Sequence, residues 1–220
     1  MNRFFKPFEG KHYKEGLHGK RILVVGASCY CDKTTCPYFK ECTDPDKKDS
    51  SKFDYRCPDY KGEETLLSDE PTTIISQGYR TPNNFARFIQ KFVGEEDTWT
   101  TWNRMAFTEY MQFVSPTKDT KNYLSNRDFE AFLETLRELQ PHIVFAWGMA
   151  ILEEIREKNK YVYDKDASQL EKTEYYVWHM KVPGVNHNIT IVHSYHPSAP
   201  GYWYGNLDTL TKYMQMVLDE

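Results

Sequence analysis

Two continuous apolar runs, each closed by glycine, constrain the fold of this chain more than any other feature. They are Ile22-Leu23-Val24-Val25-Gly26 and Ile143-Val144-Phe145-Ala146-Trp147-Gly148. A half-buried strand alternates apolar and polar residues, and these runs do not. An unbroken apolar strand must be covered on both faces, which is the situation of a strand inside a parallel sheet.

The segments between the runs carry helix signals. Thr81 and Pro82 suit an N-cap and the first helical position. Phe85, Phe88, Ile89 and Phe92 follow at helical spacing, and Gly94 closes the segment. Ser125 opens a second helix, with Asp128 where a capping box more often has Glu or Gln. Its apolar face is Phe129, Phe132, Leu133, Leu136 and Leu139, and Pro141 stops it. Residues 149–157 resume helix. Two strands, 175–182 and 188–193, flank the turn Pro183-Gly184-Val185-Asn186, and Leu207, Leu210, Met214 and Val217 mark a terminal helix. Strands alternating with helices predict a three-layer α/β/α fold with a central, mainly parallel sheet.

A length of 220 residues suits one domain over 1–220. Residues 1–19 read as an arm of mixed charge. Residues 29–62 hold all five cysteines and three prolines without strand or helix periodicity, and read as an inserted loop subdomain. Aromatic residues reach 15%, which fits either a ring-lined pocket or a core built from rings. The formal net charge of −4 lacks the basic balance of a dedicated duplex binder, so nucleic-acid binding would rest on a local patch or on a pocket for one flipped nucleotide. No apolar run is long enough to span a membrane. The first residues lack the apolar stretch of a signal peptide, so a cytoplasmic location with reduced thiols is expected.

In open α/β sheets ligands bind beyond the carboxyl ends of the strands. Three such ends carry unusual residues: Gly26-Ala27-Ser28-Cys29-Tyr30, Trp147-Gly148, and His193-Ser194-Tyr195-His196-Pro197-Ser198. The strand-glycine turn, the segment Pro141-His142-Ile143-Val144 running to Gly148, and the closing His196-Pro197-Ser198 loop stand in an order and spacing that resemble the uracil-DNA glycosylase superfamily over most of residues 20–215. The resemblance implies hydrolysis of the N-glycosidic bond of a modified or mispaired DNA base, either single-stranded or flipped from a duplex. It makes His196 the donor that stabilises charge on the departing base. It makes Pro197 and Ser198 part of a phosphate-holding turn, and Tyr30 a wall of the base pocket beside Gly26 and Ala27. The alternative for His196 is a turn histidine bonded to local backbone. His193, inside the strand run, reads as a core histidine.

The sequence departs from the family pattern in two places. The family commonly has Asp, Asn or Glu in the first turn to activate water. Ser28 stands there instead, and a serine hydroxyl is no base at neutral pH without a helper. Asp32, the next carboxylate, reads as a solvated loop residue. The family's base-reading Asn is replaced by Glu109, or by Asn103 in another register. Glu109 is either a base reader that accepts from N–H groups or an exposed strand residue. A family member that keeps the pocket and has lost catalysis would bind nucleotides or single strands without turnover. A third possibility is a shared scaffold with an unrelated ligand.

The cysteines follow C-x-C-x4-C-x5-C-x14-C, from Cys29 to Cys57. In a reducing compartment such a cluster suggests metal rather than disulfides. Cys31, Cys36, Cys42 and Cys57 are the natural set for a structural zinc, and Cys29 is left over. The alternative is free thiols packed as small hydrophobes. Some relatives carry an iron–sulfur cluster, but their ligand spacing differs and that cofactor does not carry over. If zinc orders residues 29–62, elemental analysis of untagged protein will find it at about one equivalent per chain. Metal-free protein would refute the site.

Overall fold

The computed structural model describes residues 3–30, 65–66, 80–94, 97–112, 124–148, 151, 154–155, 177–199, 203, 205 and 207–219. The strands are β1 (Phe5–Lys6), β2 (Phe8–Glu9), β3 (Ile22–Gly26), β4 (Thr65–Leu66), β5 (Met105–Glu109), β6 (Ile143–Trp147), β7 (Val177–Met180) and β8 (Ile189–Ser194). The helices are α1 (Arg80–Val93), α2 (Thr98–Trp102), α3 (Asn126–Leu139) and α4 (Leu207–Asp219). Six strands form one sheet in the order β2-β5-β3-β6-β8-β7. The inner four, β5, β3, β6 and β8, run parallel, while β2 and β7 are antiparallel edges. β1 and β4 pair separately.

The two apolar runs lie at the centre of the sheet, as their lack of alternation predicts. Every residue of β3 and β6 is buried. On one face Ile22, Val24, Phe107, Phe145 and Val192 pack under Phe85, Phe88 and Ile89 of α1 and under Leu210 and Met214 of α4. On the other face Leu23, Val25, Val144 and Ile191 pack under Phe132, Leu133 and Leu136 of α3. Helices therefore cover both faces, and the fold class is α/β with a mixed, mostly parallel sheet.

The helix signals of 81–94, 125–139 and 207–217 hold with small shifts, while most of the helix expected over 149–157 lies outside the described residues. α1 begins at Arg80, so Pro82 lies within its first turn, where a missing N–H removes no helical bond. Gly94 adopts a left-handed φ of 68° and its N–H reaches the Gln90 carbonyl at 3.0 Å. At α3 the Asp128 carboxylate accepts from the Ser125 N–H at 2.7 Å and from the Ser125 hydroxyl at 3.0 Å.

The segment expected to be an arm is instead part of the core. Phe4, Phe5, Phe8, Tyr13 and Leu17 are all buried, and β2 extends the sheet beside β5. Its mixed charge masked apolar residues too closely spaced to stay in water. Gln112 fastens this segment to the site. Its Oε1 accepts from the N–H groups of Phe4 and Phe5 at 2.8 and 3.1 Å, and its Nε2 donates to the Glu109 carbonyl at 2.8 Å. Its own N–H donates to Asp128 at 2.7 Å. The end of β5 is thereby held by polar bonds buried from water.

Among the described residues most aromatic side chains lie in the core. Phe85 meets Phe88, Trp102, Phe145, Trp147 and Trp203 with ring centroids between 5.1 and 6.2 Å. Among the described residues no helix is long and apolar enough to cross a membrane. Residues 31–62 of the expected insertion lie outside the described residues. Because Phe85 joins both helix and sheet rings, Phe85→Ala should cost about 3–5 kcal/mol in urea unfolding. A loss of less than about 1 kcal/mol would show that the ring cluster does not carry the α1–sheet contact.

Candidate active site

Taken in chain order, the parallel strands lie in the spatial order second, first, third, fourth. The connections leave β3 toward β5 and then cross to β6, so the direction of winding reverses at β3. Ligand crevices in open α/β sheets form at such reversals, outside the carboxyl ends. That is where the candidate residues gather.

Register places four residues in one row. Gly26 pairs with Glu109, and Trp147 pairs with Ser194. Gly26 and Trp147 stand one step beyond the Val25–Ala146 pair. Two residues earlier on each strand, Phe107, Val24, Phe145 and Val192 belong to the cluster under α1 and α4. The two-residue strand period puts Glu109, Gly26, Trp147 and Ser194 on that same face.

Gly26 is needed for room. A Cβ there would lie 2.9 Å from Cδ and 3.0 Å from Oε1 of Glu109, and nearer still to Oε2. The Glu109 carboxylate thus sits against the α-carbon of the turn. At 7% exposure Glu109 is buried, so the exposed-strand alternative does not hold. Gly148 is needed for a different reason, since its φ of 104° is disfavoured for other residues. Past the strand ends the pairing continues, with Tyr110 N–H to the Gly26 carbonyl at 2.9 Å and Met111 N–H to that of Ala27 at 3.1 Å.

The rest of the first turn frames this carboxylate. The Ser28 hydroxyl donates to the Cys29 carbonyl at 2.6 Å, which uses its one proton. Ser28 therefore does not present that proton to a ligand. Tyr30 is 47% exposed. Burial of its phenol raises its pKa, and the nearby charges of Glu109 and Cys29 raise it further.

The second half of the site is the loop after β8. The Ser198 hydroxyl lies 2.6 Å from His196 Nδ1, and the Ser198 N–H donates to the same nitrogen at 3.3 Å. A nitrogen that accepts an N–H bond carries no proton, so the proton of the neutral ring belongs on Nε2. Burial lowers the His196 pKa, which keeps the ring neutral. The result is a neutral N–H donor with a fixed tautomer. Ser198 acts here as a positioning residue, because its hydroxyl and N–H both turn toward His196. The Pro197 carbonyl accepts from Asn84 Nδ2 of α1 at 2.8 Å, which ties the loop to the first turns of that helix. The His196 ring meets that of Trp147 edge-on, with centroids 6.0 Å apart.

Gly26, Ala27, Ser28, Tyr30, Glu109, His196, Pro197 and Ser198 therefore share the carboxyl edge of the sheet. Asn103 does not. It caps α2 before β5 begins, its Nδ2 donates to the Trp99 carbonyl at 3.1 Å, and its Oδ1 accepts from the Lys11 N–H at 3.4 Å. A five-residue strand separates it from Glu109, so Glu109 is the residue of this pair at the site. His193 is fully buried and burial lowers its pKa to about 4, consistent with a neutral core histidine. Asp32, Cys31, Cys36, Cys42 and Cys57 lie outside the described residues.

Asn84, Ser194 and Trp147 stand at this edge as well. Asn84 carries no local signal, since its target is remote in the chain. Ser194 is a polar residue ending an apolar strand, a signal that was available. Trp147 was visible as a strand end. The chain is an α/β protein with a carboxylate and a neutral imidazole at the carboxyl edge of its sheet, on either side of the winding reversal. No family model and no curated protein matches the chain.

If Gly26 exists to admit the Glu109 carboxylate, Gly26→Ala should cost about 1–3 kcal/mol through overpacking. Most of that cost should vanish in a Glu109→Ala background, measured as a double-mutant cycle by urea unfolding. Additive costs would mean that the carboxylate does not need the space.

Proposed function

We propose that this chain hydrolyses the N-glycosidic bond of a modified or mispaired base presented in single-stranded DNA or flipped from a duplex. The observation that carries the reading is the Glu109 carboxylate seated on Gly26. The motif resemblance asks for a water-activating group at this turn, and the turn itself contains none. The neighbouring strand brings the Glu109 carboxylate against Gly26, two residues before Ser28.

The chemistry divides between the two flanks. The water oxygen bonds to the sugar carbon while the carbon–nitrogen bond breaks, and the base leaves with the electron pair. Glu109 takes a proton from the water. His196 Nε2–H donates to the base oxygen on which negative charge grows. A neutral donor suits this role, as its hydrogen bond strengthens while the charge develops. Strands β3 and β6 lie between these flanks, so the backbones of β5 and β8 are about 14 Å apart.

A binding module without turnover is the second reading, and the net charge of −4 favours it, since little long-range attraction draws DNA in. Base release separates the two. Single-stranded oligonucleotides carrying uracil, hypoxanthine or xanthine should yield abasic product with the wild type. His196→Ala should slow release by about 10²–10³-fold. Glu109→Gln should slow it by about 10²–10⁴-fold with binding retained. Any acid-side fall due to His196 should come only below pH 6.5, because its lowered pKa delays the protonation of Nδ1 that breaks the Ser198 N–H bond fixing the ring. Binding with no abasic product from any strand would favour the binding module, and neither binding nor release would overturn both.

A further inference from the structure

We infer that Trp147 and Ser194 form a second pair of hydrogen-bond donors that reads a carbonyl oxygen on the bound base. The inference rests on the glycosidase reading and adds two specificity-determining residues to it.

The observation is a pair of buried polar atoms side by side on one face of the sheet. Trp147 Nε1 and Ser194 Oγ are buried and have no hydrogen-bond partner among the described residues. The residues are 4% and 1% exposed. A buried donor left unsatisfied costs about 1–3 kcal/mol, so such groups rarely persist without a role. Two of them here are register partners on adjacent strands. Their backbones are therefore about 4.8 Å apart, and their side chains share one face. Both stand in the row that contains Glu109 and Gly26.

Chemistry limits what these atoms can meet. An indole N–H donates and cannot accept, whereas a hydroxyl does both. An acceptor must therefore face Trp147. The His196 ring adjoins Trp147 at 6.0 Å, and its Nε2–H is also a donor. A ring carbonyl satisfies such a cluster. A ring position bearing only hydrogen leaves the donors empty, and an amino group would bring a further donor against them. Sites built to bond a polar group discriminate strongly against analogues that lack it.

The test compares two oligonucleotides that differ by one oxygen. Single strands carrying hypoxanthine or unsubstituted purine at one position are competed for binding to the full chain. The wild type should prefer hypoxanthine. Trp147→Phe keeps a ring against Phe85 and removes the N–H, and it should reduce that preference about five- to tenfold. Ser194→Ala removes only the hydroxyl and should reduce it to a similar or smaller degree. If Trp147→Phe fails to fold, Ser194→Ala decides. A preference unchanged in the folded variants would mean that the two atoms are satisfied by enclosed water, and would overturn this inference alone. Failure of the wild type to bind or cleave either strand would overturn the glycosidase reading, and this one with it.

Discussion

Burial of the central strands on both faces is the constraint on which the rest of the structure depends. β3 and β6 have no polar side to give to water, so helices must lie above and below them. Burying both faces leaves β3 and β6 without a polar side chain between their ends. At the carboxyl end the row of Glu109, Gly26, Trp147 and Ser194 is where apolar layers give way to groups able to hydrogen-bond. Groups able to react are therefore placed at the edge of the core by the same burial that stabilises the fold.

The two sides of the candidate site are held by different means. Glu109 is held from behind, because Gln112 binds its carbonyl and links it to the first strand segment and to Asp128. His196 is held from its own loop by Ser198, and the loop is held by Asn84 of α1. Supports of this kind matter because a donor or carboxylate that wanders loses the advantage of preorganisation. Glycine serves twice at this edge. Gly26 leaves space for a carboxylate, and Gly148 supplies a backbone angle.

Much of the fold was legible in the sequence, and the reasons are local. The runs ending at Gly26 and Gly148, the Ser125–Asp128 cap, Gly94 and the terminal helix all depend on residues close in the chain. The buried role of Phe4, Phe5 and Phe8 was not legible, because it depends on β5, about a hundred residues later. The site was half legible. His196 is recognisable from the Pro and Ser that follow it, but its tautomer comes from a hydrogen bond that only the folded loop shows. Glu109 could be chosen over Asn103 only once the strand bounds were known.

The sequence by itself determined that the chain builds an α/β sheet buried on both faces, with a His-Pro-Ser loop and a glycine turn at strand ends. Periodicity and turn chemistry act over a few residues, and local text records them. Only the tertiary structure decided which carboxylate meets the glycine turn. Glu109 and Gly26 are 83 positions apart in the chain and side by side in the sheet. Parallel pairing joins strands through long crossovers, so such neighbours leave no local trace. The turn that lacks a carboxylate in sequence has one in space.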